Sequence, residues 1–181
     1  MEENNNINIE EETVTEGKKK NYFKEFFPYL MIILVVVFIK VFIVSPIRVN
    51  GISMDDTLKN GDIMLLDEVS YRFSDIKRFD IVVVHMDDEY LIKRVMGLPG
   101  EEIYYENQKL YINGIYVEED FFHHETDDFD AIQLGEDEYF VMGDNRMNST
   151  DSRVFGPVTR DMIAGKASLT LFPFSRFGFK E

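Results

Sequence analysis

Apolar and polar residues follow two different patterns along the chain, and the change comes at Pro46. Residues 26–44 read FFPYLMIILVVVFIKVFIV and are almost uniformly apolar, whereas the apolar residues after Pro46 occur in short runs that often alternate with polar ones. A uniform apolar stretch of this length favours a helix, and short alternating runs favour β-strands. The sequence therefore predicts a mostly β fold, in which one N-terminal helix is followed by an antiparallel β-sheet or barrel-like domain.

The apolar stretch at residues 26–44 has the length of a transmembrane helix. At 1.5 Å per residue it extends about 28 Å, which is close to the hydrocarbon thickness of a bilayer. Lys40 lies near its end, where a lysine can extend its ammonium group to the interface. A buried core helix is the alternative, and a cleavable signal sequence is disfavoured because Pro46 follows where a small-x-small site is needed. We predict a retained, single-pass membrane anchor over residues 26–45.

Charges on the N-terminal side of the predicted anchor orient it. Residues 1–16 carry six acidic and no basic side chains, and residues 17–27 carry four lysines and one glutamate. Because positive residues favour the cytoplasmic side, we predict that residues 1–25 form a disordered acidic tail and a basic cytoplasmic segment. Residues 46–181 then form an extracytoplasmic β-rich domain at the cell membrane. The formal net charge of −15 argues against nucleic acid as a partner.

Strands of the predicted domain can be assigned from its short apolar runs. Asn113-Gly114 lies between two such runs and is a strong signal for a two-residue β-hairpin. Residues 118–137 are acidic without a periodic pattern, so we predict a surface excursion there. Short helical turns are predicted at residues 55–59 and 159–163. The predicted strands are residues 63–69, 80–86, 90–96, 101–106, 109–112, 139–142 and 166–172.

Lys93 is the first residue whose position suggests chemistry. In a strand over residues 90–96, the side chains of Leu91, Lys93 and Val95 share one face. Burial between branched aliphatic side chains disfavours an ammonium group and lowers its pKa, as a lysine acting as a general base requires. Alternation alone favours the other interpretation, in which Lys93 extends from an edge strand to water. Arg94 is unsuitable as a base, because a guanidinium does not deprotonate in proteins.

Ser53 and a polar loop at residues 142–153 are further candidates. Gly51 lies two positions before Ser53 and gives the backbone freedom for a close approach, although a serine in this setting is most often a cap or a turn residue. The loop reads MGDNRMNSTDSR and is rich in side-chain donors and acceptors, which a plain turn would also explain. Taken one at a time, these segments leave both interpretations open.

Other common catalytic groups find little support in the sequence. The three histidines, His85, His123 and His124, show no metal-binding spacing and no convincing Ser-His-Asp arrangement. His85 ends an apolar strand, and the other two lie in the acidic excursion, where solvated surface is the simpler explanation. The chain has no cysteine, so thiolate nucleophiles, cysteine metal sites and disulfides are excluded. We expect no metal and no organic cofactor.

Three motifs, in the order in which they occur, resemble those of bacterial type I signal peptidases, also called leader peptidases (peptidase family S26). They are GISMDDTL at residues 51–58, IKRVMGLPGE at residues 92–101 and GDNRMNSTDSR at residues 143–153. The short chain with one predicted span resembles the smaller, Gram-positive-like members. The resemblance implies a membrane-bound serine endopeptidase that removes N-terminal signal peptides from exported preproteins after small-x-small (Ala-X-Ala) sites. Its implied partners are these signal peptides, the lipid bilayer and, by proximity, the protein export channel.

Roles for individual residues also follow from the resemblance. Ser53 matches the family's nucleophile, and Lys93 matches its general base. Ser149 matches a serine that hydrogen-bonds and orients the lysine. Asp151 and Arg153 match a pair that supports the site through a salt bridge.

The resemblance further indicates where the oxyanion and the substrate would bind. The backbone N–H of Ser53 and a group at Gly51 would stabilise the oxyanion, although glycine lacks the hydroxyl that some members use as a second donor. We predict that Ile52, Met54 and Leu58 line shallow apolar pockets, which suit small substrate side chains.

Asp56 departs from the family pattern, which usually has proline at this position. Proline would pre-set the backbone after the nucleophile, and a carboxylate close to Lys93 would raise the lysine pKa and weaken the base. Two alternatives therefore stay open. One is a membrane-tethered, non-catalytic binding module of the same fold. The other is a self-cleaving, repressor-type peptidase with a serine–lysine pair, which the predicted membrane span disfavours because such peptidases are cytoplasmic.

Overall fold

A computed structural model describes residues 22–42, 44–87, 89–121 and 125–180 of the chain. It divides into two compact units, residues 1–36 and residues 37–181. The predicted acidic tail and the lysines at residues 18–20 lie outside the described residues, as do His123 and His124.

The N-terminal unit contains most of a long helix, α1, which runs over Tyr22–Phe42. Between Phe26 and Val36 its large apolar side chains are each 44–65% exposed. The predicted N-terminal helix is therefore present, and its apolar surface is uncovered in this unit. Among the residues that the structure describes, no helix combines the length and the apolar character that crossing a bilayer requires.

The second unit consists mainly of antiparallel β-strands, as the alternating pattern predicts. The elements are β1 Val44–Arg48, β2 Ile63–Asp67, β3 Ile81–Met86, β4 Glu89–Gly97, β5 Glu102–Glu106, β6 Lys109–Ile112, β7 Ile115–Val117, β8 Phe129–Gln133, β9 Glu138–Met142, α2 Ser152–Phe155, β10 Val158–Thr159, β11 Ile163–Phe172 and β12 Gly178–Phe179. Within the described residues, eight strands form one sheet in the order β1-β2-β11-β3-β4-β9-β10, with β12 paired to β11, and four strands form a second sheet in the order β7-β6-β5-β8.

The hairpin predicted at Asn113-Gly114 is confirmed. The two residues join β6 to β7 with backbone φ angles of 51° and 77°, and Ile112 is paired with Ile115 on either side of them. Positive φ at both turn positions is the mirror-image turn that matches the twist of a hairpin, and asparagine and glycine tolerate it best.

The surface excursion predicted at residues 118–137 is confirmed in part: most of its described residues are exposed, but the segment also contains a strand and two buried residues. The strand β8 lies within this segment and pairs with β5, Thr126 is only 1% exposed, and Leu134 is buried in the core between β5, β6 and β9. The segment has no sequence period because its buried residues are isolated among acidic ones. The predicted helical turn at residues 55–59 is a hydrogen-bonded turn in which the N–H groups of Thr57 and Leu58 both donate to the carbonyl of Met54.

Candidate active site

Ser53 and Lys93 are brought together although 40 residues separate them in the chain. Lys93 Nζ lies 2.9 Å from Ser53 Oγ, which is a hydrogen-bonding distance. Lys93 is near the middle of β4, and Ser53 lies in the turn segment that follows β1. A regular strand therefore fixes the amine, and a tight turn presents the hydroxyl to it.

The surroundings of Lys93 are apolar. Its side chain is 2% exposed, and both Val82, its partner across β3, and Val95, two positions along β4, are fully buried. Burial in these surroundings lowers the pKa of the Lys93 amine below its ordinary value of 10.5. The expectation from alternation alone, a lysine extending from an edge strand to water, is wrong, because β4 lies between β3 and β9 inside the larger sheet.

Nearby charges modify the effect of burial on Lys93 without reversing it. The carboxylates of Asp151 and Asp144 act to raise the Lys93 pKa, the Arg153 guanidinium acts to lower it, and the net result remains a lowered pKa. Asp56, the residue that departs from the family pattern, is exposed on the turn. The two acidic residues that influence Lys93 most strongly thus come from the loop at residues 142–153.

Asp151 and Arg153 form the ion pair that the resemblance implies. Arg153 Nε donates to Asp151 Oδ1 at 2.8 Å, and its Nη2 donates to Oδ2 at 2.9 Å. The N–H of Gly143 also donates to Asp151, at 3.0 Å. Burial alone would raise the pKa of this fully buried carboxyl, but the hydrogen bonds from Arg153 and Gly143 outweigh it and hold the Asp151 pKa below 3.8. The loop that supports Lys93 is therefore held by a charged pair that persists at neutral pH.

Ser149 lies against Gly143. A side chain on Gly143 would place its Cβ 2.2 Å from Ser149 Oγ and 2.4 Å from the Ser53 carbonyl oxygen, so only glycine fits between them. Ser149 Oγ is buried and finds no hydrogen-bond partner among the described residues. It is close enough to Asp151 to contribute to that carboxyl's lowered pKa. The implied hydrogen bond from Ser149 to Lys93 does not form in this structure.

Asn145 joins the loop to the turn that carries Ser53. Its backbone N–H donates to the Ser53 carbonyl at 2.9 Å, and its side-chain amide donates to the Ile52 carbonyl at 3.0 Å. The N–H of Asp144 is 3.4 Å from Met54 Sδ, where the sulfur can accept a weak hydrogen bond. These contacts fix the backbone on both sides of the serine, and sequence reasoning had assigned none of them.

Arg94 is the main element of the site that sequence reasoning missed. Its guanidinium donates twice to Asp144, at 2.9 and 2.7 Å, and once to the Phe79 carbonyl at 2.9 Å. Both side chains of the Arg94–Asp144 pair are completely buried. Thr57 also donates to Asp144, so the pair connects β4, the loop and the turn after Ser53. Two oppositely charged residues separated by 50 positions carry no local pattern, so only an observed contact reveals them.

A groove of about 440 Å³ opens beside Ser53. Residues 48–51 and Met54 line one side, and residues 89–92 of β4 line the other. Of the predicted substrate-binding residues, Met54 lines this groove, Ile52 is 53% exposed beside it, and Leu58 lies in the hydrophobic core with no exposed surface.

Gly51 also lines the groove, but its N–H is already engaged. It has a backbone φ of +97° and donates to Asn60 Oδ1 at 3.1 Å. A residue other than glycine would be strained in this conformation. The N–H of Gly51 is therefore not available as a second oxyanion donor in this structure.

Comparisons with known proteins identify the family of this chain. A family model described as signal peptidase, peptidase S26, matches residues 20–172. Signal peptidase I S of Bacillus subtilis is 36% identical over 172 residues, covering 88% of this chain and 94% of that protein. Signal peptidase IB of Staphylococcus aureus is 36% identical over 159 residues, covering 75% of this chain and 82% of that protein. A crystal structure of a signal peptidase I from Enterococcus faecalis is 33% identical and matches 51% of this chain and 97% of that one, with a TM-score of 0.47. The chain therefore belongs to the signal peptidase family, peptidase S26, and is a peptidase.

Proposed function

We propose that this chain removes N-terminal signal peptides from exported preproteins, with Ser53 as the nucleophile and Lys93 as the general base. The observation that carries the proposal is the 2.9 Å separation of Ser53 Oγ and a lysine amine that is 2% exposed. An amine with a depressed pKa can accept a proton from a serine hydroxyl near neutral pH, whereas an ordinary lysine is protonated there.

In the proposed mechanism, neutral Lys93 takes the hydroxyl proton as Ser53 Oγ forms a bond to the scissile carbonyl carbon. The ammonium then returns this proton to the leaving amine as the C–N bond breaks, which leaves an acyl ester on Ser53. A water molecule, deprotonated by Lys93, hydrolyses the ester and releases the new carboxyl terminus. The steps require no metal and no organic cofactor.

The backbone N–H of Ser53 is the proposed donor to the oxyanion. One well-placed donor of this kind contributes about 3–4 kcal/mol to stabilising a tetrahedral intermediate. The second donor would have to come from a group other than the Gly51 N–H, which donates to Asn60.

The groove beside Ser53 is the proposed site for the substrate segment that precedes the cleaved bond. Its lining by residues 48–51 and residues 89–92 leaves room for an extended peptide with small side chains. Met54 is the apolar floor residue in this proposal, and Ile52 is available at the rim. Leu58 would act only indirectly, as core packing beneath Met54.

Membrane anchoring through residues 26–45 is part of the proposal. The exposed apolar side chains between Phe26 and Val36 need a nonpolar environment, and the lysines before them favour the cytoplasmic side of a bilayer. Residues 46–181 would then be extracytoplasmic and close to the protein export channel, where signal peptides are presented.

Cleavage of an added preprotein tests the catalytic proposal. The full chain, purified in detergent, should cut a preprotein with an Ala-X-Ala site, and Ser53→Ala and Lys93→Ala should each abolish cutting. Ser74→Ala and Lys109→Ala change the same residue types on the exposed surface and should leave the rate unchanged. Full activity of either site variant would contradict the assignment. An inactive unmodified chain would favour the non-catalytic binding module, and activity confined to the chain's own backbone would favour a self-cleaving peptidase.

Membrane attachment is tested separately from activity. The full chain expressed in bacterial cells should stay in the membrane fraction after extraction with alkaline carbonate. Protease added outside spheroplasts should degrade the part after residue 46. Release by carbonate, or complete protection from the external protease, would contradict the proposed anchoring.

A further inference from the structure

Arg146 is a buried arginine in the loop at residues 142–153, which supports Ser53 and Lys93. Its side chain is 3% exposed, and it begins the short 3-10 turn Arg146–Asn148. A buried guanidinium cannot lose its charge, so it needs acceptors and a counter-charge at close range. The source of those partners indicates which part of the fold holds the loop in place.

The partners of Arg146 come from the second sheet and from the acidic segment at residues 118–137. Its Nη2 lies 2.5 Å from Glu119 Oε1, and its Nη1 donates to Tyr105 and Thr126 at 2.7 Å each. Tyr105 in turn donates to the other oxygen of Glu119 at 2.8 Å. Glu119 and Thr126 both lie in the segment that the sequence marks only as acidic, so this segment supplies the counter-charge of a buried arginine.

Arg146 also connects this cluster to the site. Its Nε donates to the Gly143 carbonyl at 3.2 Å, and its own carbonyl accepts from Arg153 Nη2 at 2.8 Å. Arg153 is the partner of Asp151, and Gly143 is the close-packed neighbour of Ser53. A displacement of Arg146 would therefore move the groups on both sides of the dyad.

A second contact from the same segment reaches Arg94, another arginine of the site. The Phe121 ring lies 3.9 Å from the Arg94 guanidinium carbon and 5.0 Å from the Phe79 ring. Arg94 holds Asp144, which precedes Asn145 in the loop. The flat face of a guanidinium packs well on an aromatic ring, so Phe121 covers the face of Arg94 that makes no hydrogen bond.

We propose that Glu119 and Phe121 are positioning residues for catalysis: the acidic segment holds Arg146 and Arg94 and thereby fixes the loop that places Ser53 and Lys93. Glu119 acts through Arg146 and Phe121 acts through Arg94. The inference rests on the proposed function, because it concerns the rate of that reaction.

Glu119→Gln is the main test, with Glu118→Gln as its matched control. Gln keeps the size of Glu119 but removes the charge that Arg146 needs, whereas Glu118 is exposed on the adjacent position. We expect kcat for the preprotein to fall about 10- to 100-fold in Glu119→Gln, since a displacement of about 1 Å at the reacting groups has an effect of this size. KM should stay within about twofold, because the groove beside Ser53 shares no residue with the cluster. Glu118→Gln should match the unmodified chain.

A second readout separates an effect on the reacting groups from an effect on preprotein binding, and it is measured on variants whose circular dichroism matches that of the unmodified chain. The acylation of Ser53 by p-nitrophenyl acetate, an ester too small to occupy the groove, should fall by the same factor as kcat. Phe121→Leu keeps the Glu119–Arg146 pair and should show the same change in kcat without a change in KM, but smaller, about 3- to 10-fold. This variant also provides the answer if Glu119→Gln does not fold.

The outcomes distinguish the inference from the function on which it rests. An active unmodified chain, with kcat and acylation rates of the folded variants equal to its own, would overturn the positioning role and leave the proposed function intact. A change in KM alone would overturn it as well. An unmodified chain that neither cuts the preprotein nor is acylated at Ser53 would overturn both.

Discussion

Lys93 and Arg94 are adjacent on β4 and point to opposite faces, and the two buried cations have partners of different kinds. Arg94 has no exposed surface and donates twice to the fully buried Asp144. Lys93 is 2% exposed, and its amine is 2.9 Å from an uncharged hydroxyl, that of Ser53. One face of the strand therefore carries a paired, permanent charge, and the other carries an amine whose burial favours the neutral form.

This difference shows that the partner of a buried basic side chain decides whether the charged or the neutral form is favoured. A carboxylate in contact stabilises a charge that burial alone would disfavour. Asp151 and Asp144 act on Lys93 only as nearby charges, and burial together with Arg153 outweighs them. Arg94, in its ion pair with Asp144, links β4 to the loop at residues 142–153, and the proposed function uses Lys93 as the proton acceptor.

Exchanging lysine for arginine at position 93 should lower the cleavage rate more than any change at position 94, because both faces of β4 then carry a permanent charge. The guanidinium in Lys93→Arg cannot deprotonate, so we expect preprotein cleavage to fall by at least about 10³-fold. Lys166→Arg, which makes the same exchange at a partly exposed lysine paired with Asp80, should keep its activity. Appreciable cleavage by Lys93→Arg at neutral pH would contradict the role of a neutral amine.

Removing the cation at position 94 should act mainly on the free energy of unfolding and less on the cleavage reaction itself. In Arg94→Met the Asp144 carboxylate is left buried without its partner, which costs about 3–5 kcal/mol in the free energy of unfolding. Urea denaturation of the purified protein measures this cost. The double variant Arg94→Met/Asp144→Leu should recover part of the loss, because it removes the unpaired charge as well. Equal stability of Arg94→Met and the unmodified chain would show that the pair contributes little.

Arg94→Lys keeps a positive charge at this position but loses the fork geometry. A lysine cannot donate to both Asp144 oxygens and to the Phe79 carbonyl at once. We expect a loss of about 1–3 kcal/mol in the free energy of unfolding, smaller than for Arg94→Met. The same urea titration measures it, and a loss equal to that of Arg94→Met would mean that geometry matters more than charge here.

Replacing Lys93 by methionine should raise stability, in contrast to the Arg94 variants, and the gain should depend on pH. Because the folded pKa of Lys93 lies below 10.5, unfolding takes up a proton at pH values between the folded pKa and 10.5, and burial of the lysine lowers stability at every pH below 10.5. Above pH 10.5 the lysine is neutral in both states and this penalty disappears. Lys93→Met should therefore be more stable than the unmodified chain at pH 7, and the difference should shrink as the pH approaches 10.5.

Thermal unfolding midpoints of the two chains, measured in parallel between pH 7 and pH 10.5, test this prediction. The other titrating groups are common to both chains, so they cancel in the difference. A difference that stays constant with pH, or that grows as pH rises, would contradict a depressed Lys93 pKa.

The sequence predicted the strands and the candidate residues of the site better than it predicted the contacts that hold those residues in place. Short apolar runs located β2, β3, β4 and β9 closely, because β2 buries one face and alternates, whereas β3, β4 and β9 each contain a continuous buried run. They missed β1, which contains Pro46, and β8, which lies among acidic residues. These strands depend on pairing with β2 and β5, and such pairing leaves little trace in local composition.

Supporting contacts were harder to predict because each joins distant segments. Asn145, Arg94 and Glu119 look like ordinary polar residues in the sequence, and their partners lie 27 to 93 positions away. The orienting role of Ser149 stays a prediction. Its buried hydroxyl packs against Gly143 and acts to lower the pKa of Asp151, and it has no hydrogen bond to Lys93 in the structure.

By itself, the sequence determined which chemistry is available: a serine and a lysine in recognisable motifs, a mostly β domain, and an apolar N-terminal helix. Those properties follow from residue type and from local periodicity, which act over a few positions. Tertiary structure alone decided that Lys93 is buried with its amine against an uncharged hydroxyl, whereas Arg94 is buried in an ion pair with Asp144. Burial and ion pairing depend on which distant residues the folded chain brings within a few ångströms, and no stretch of the sequence contains that information on its own.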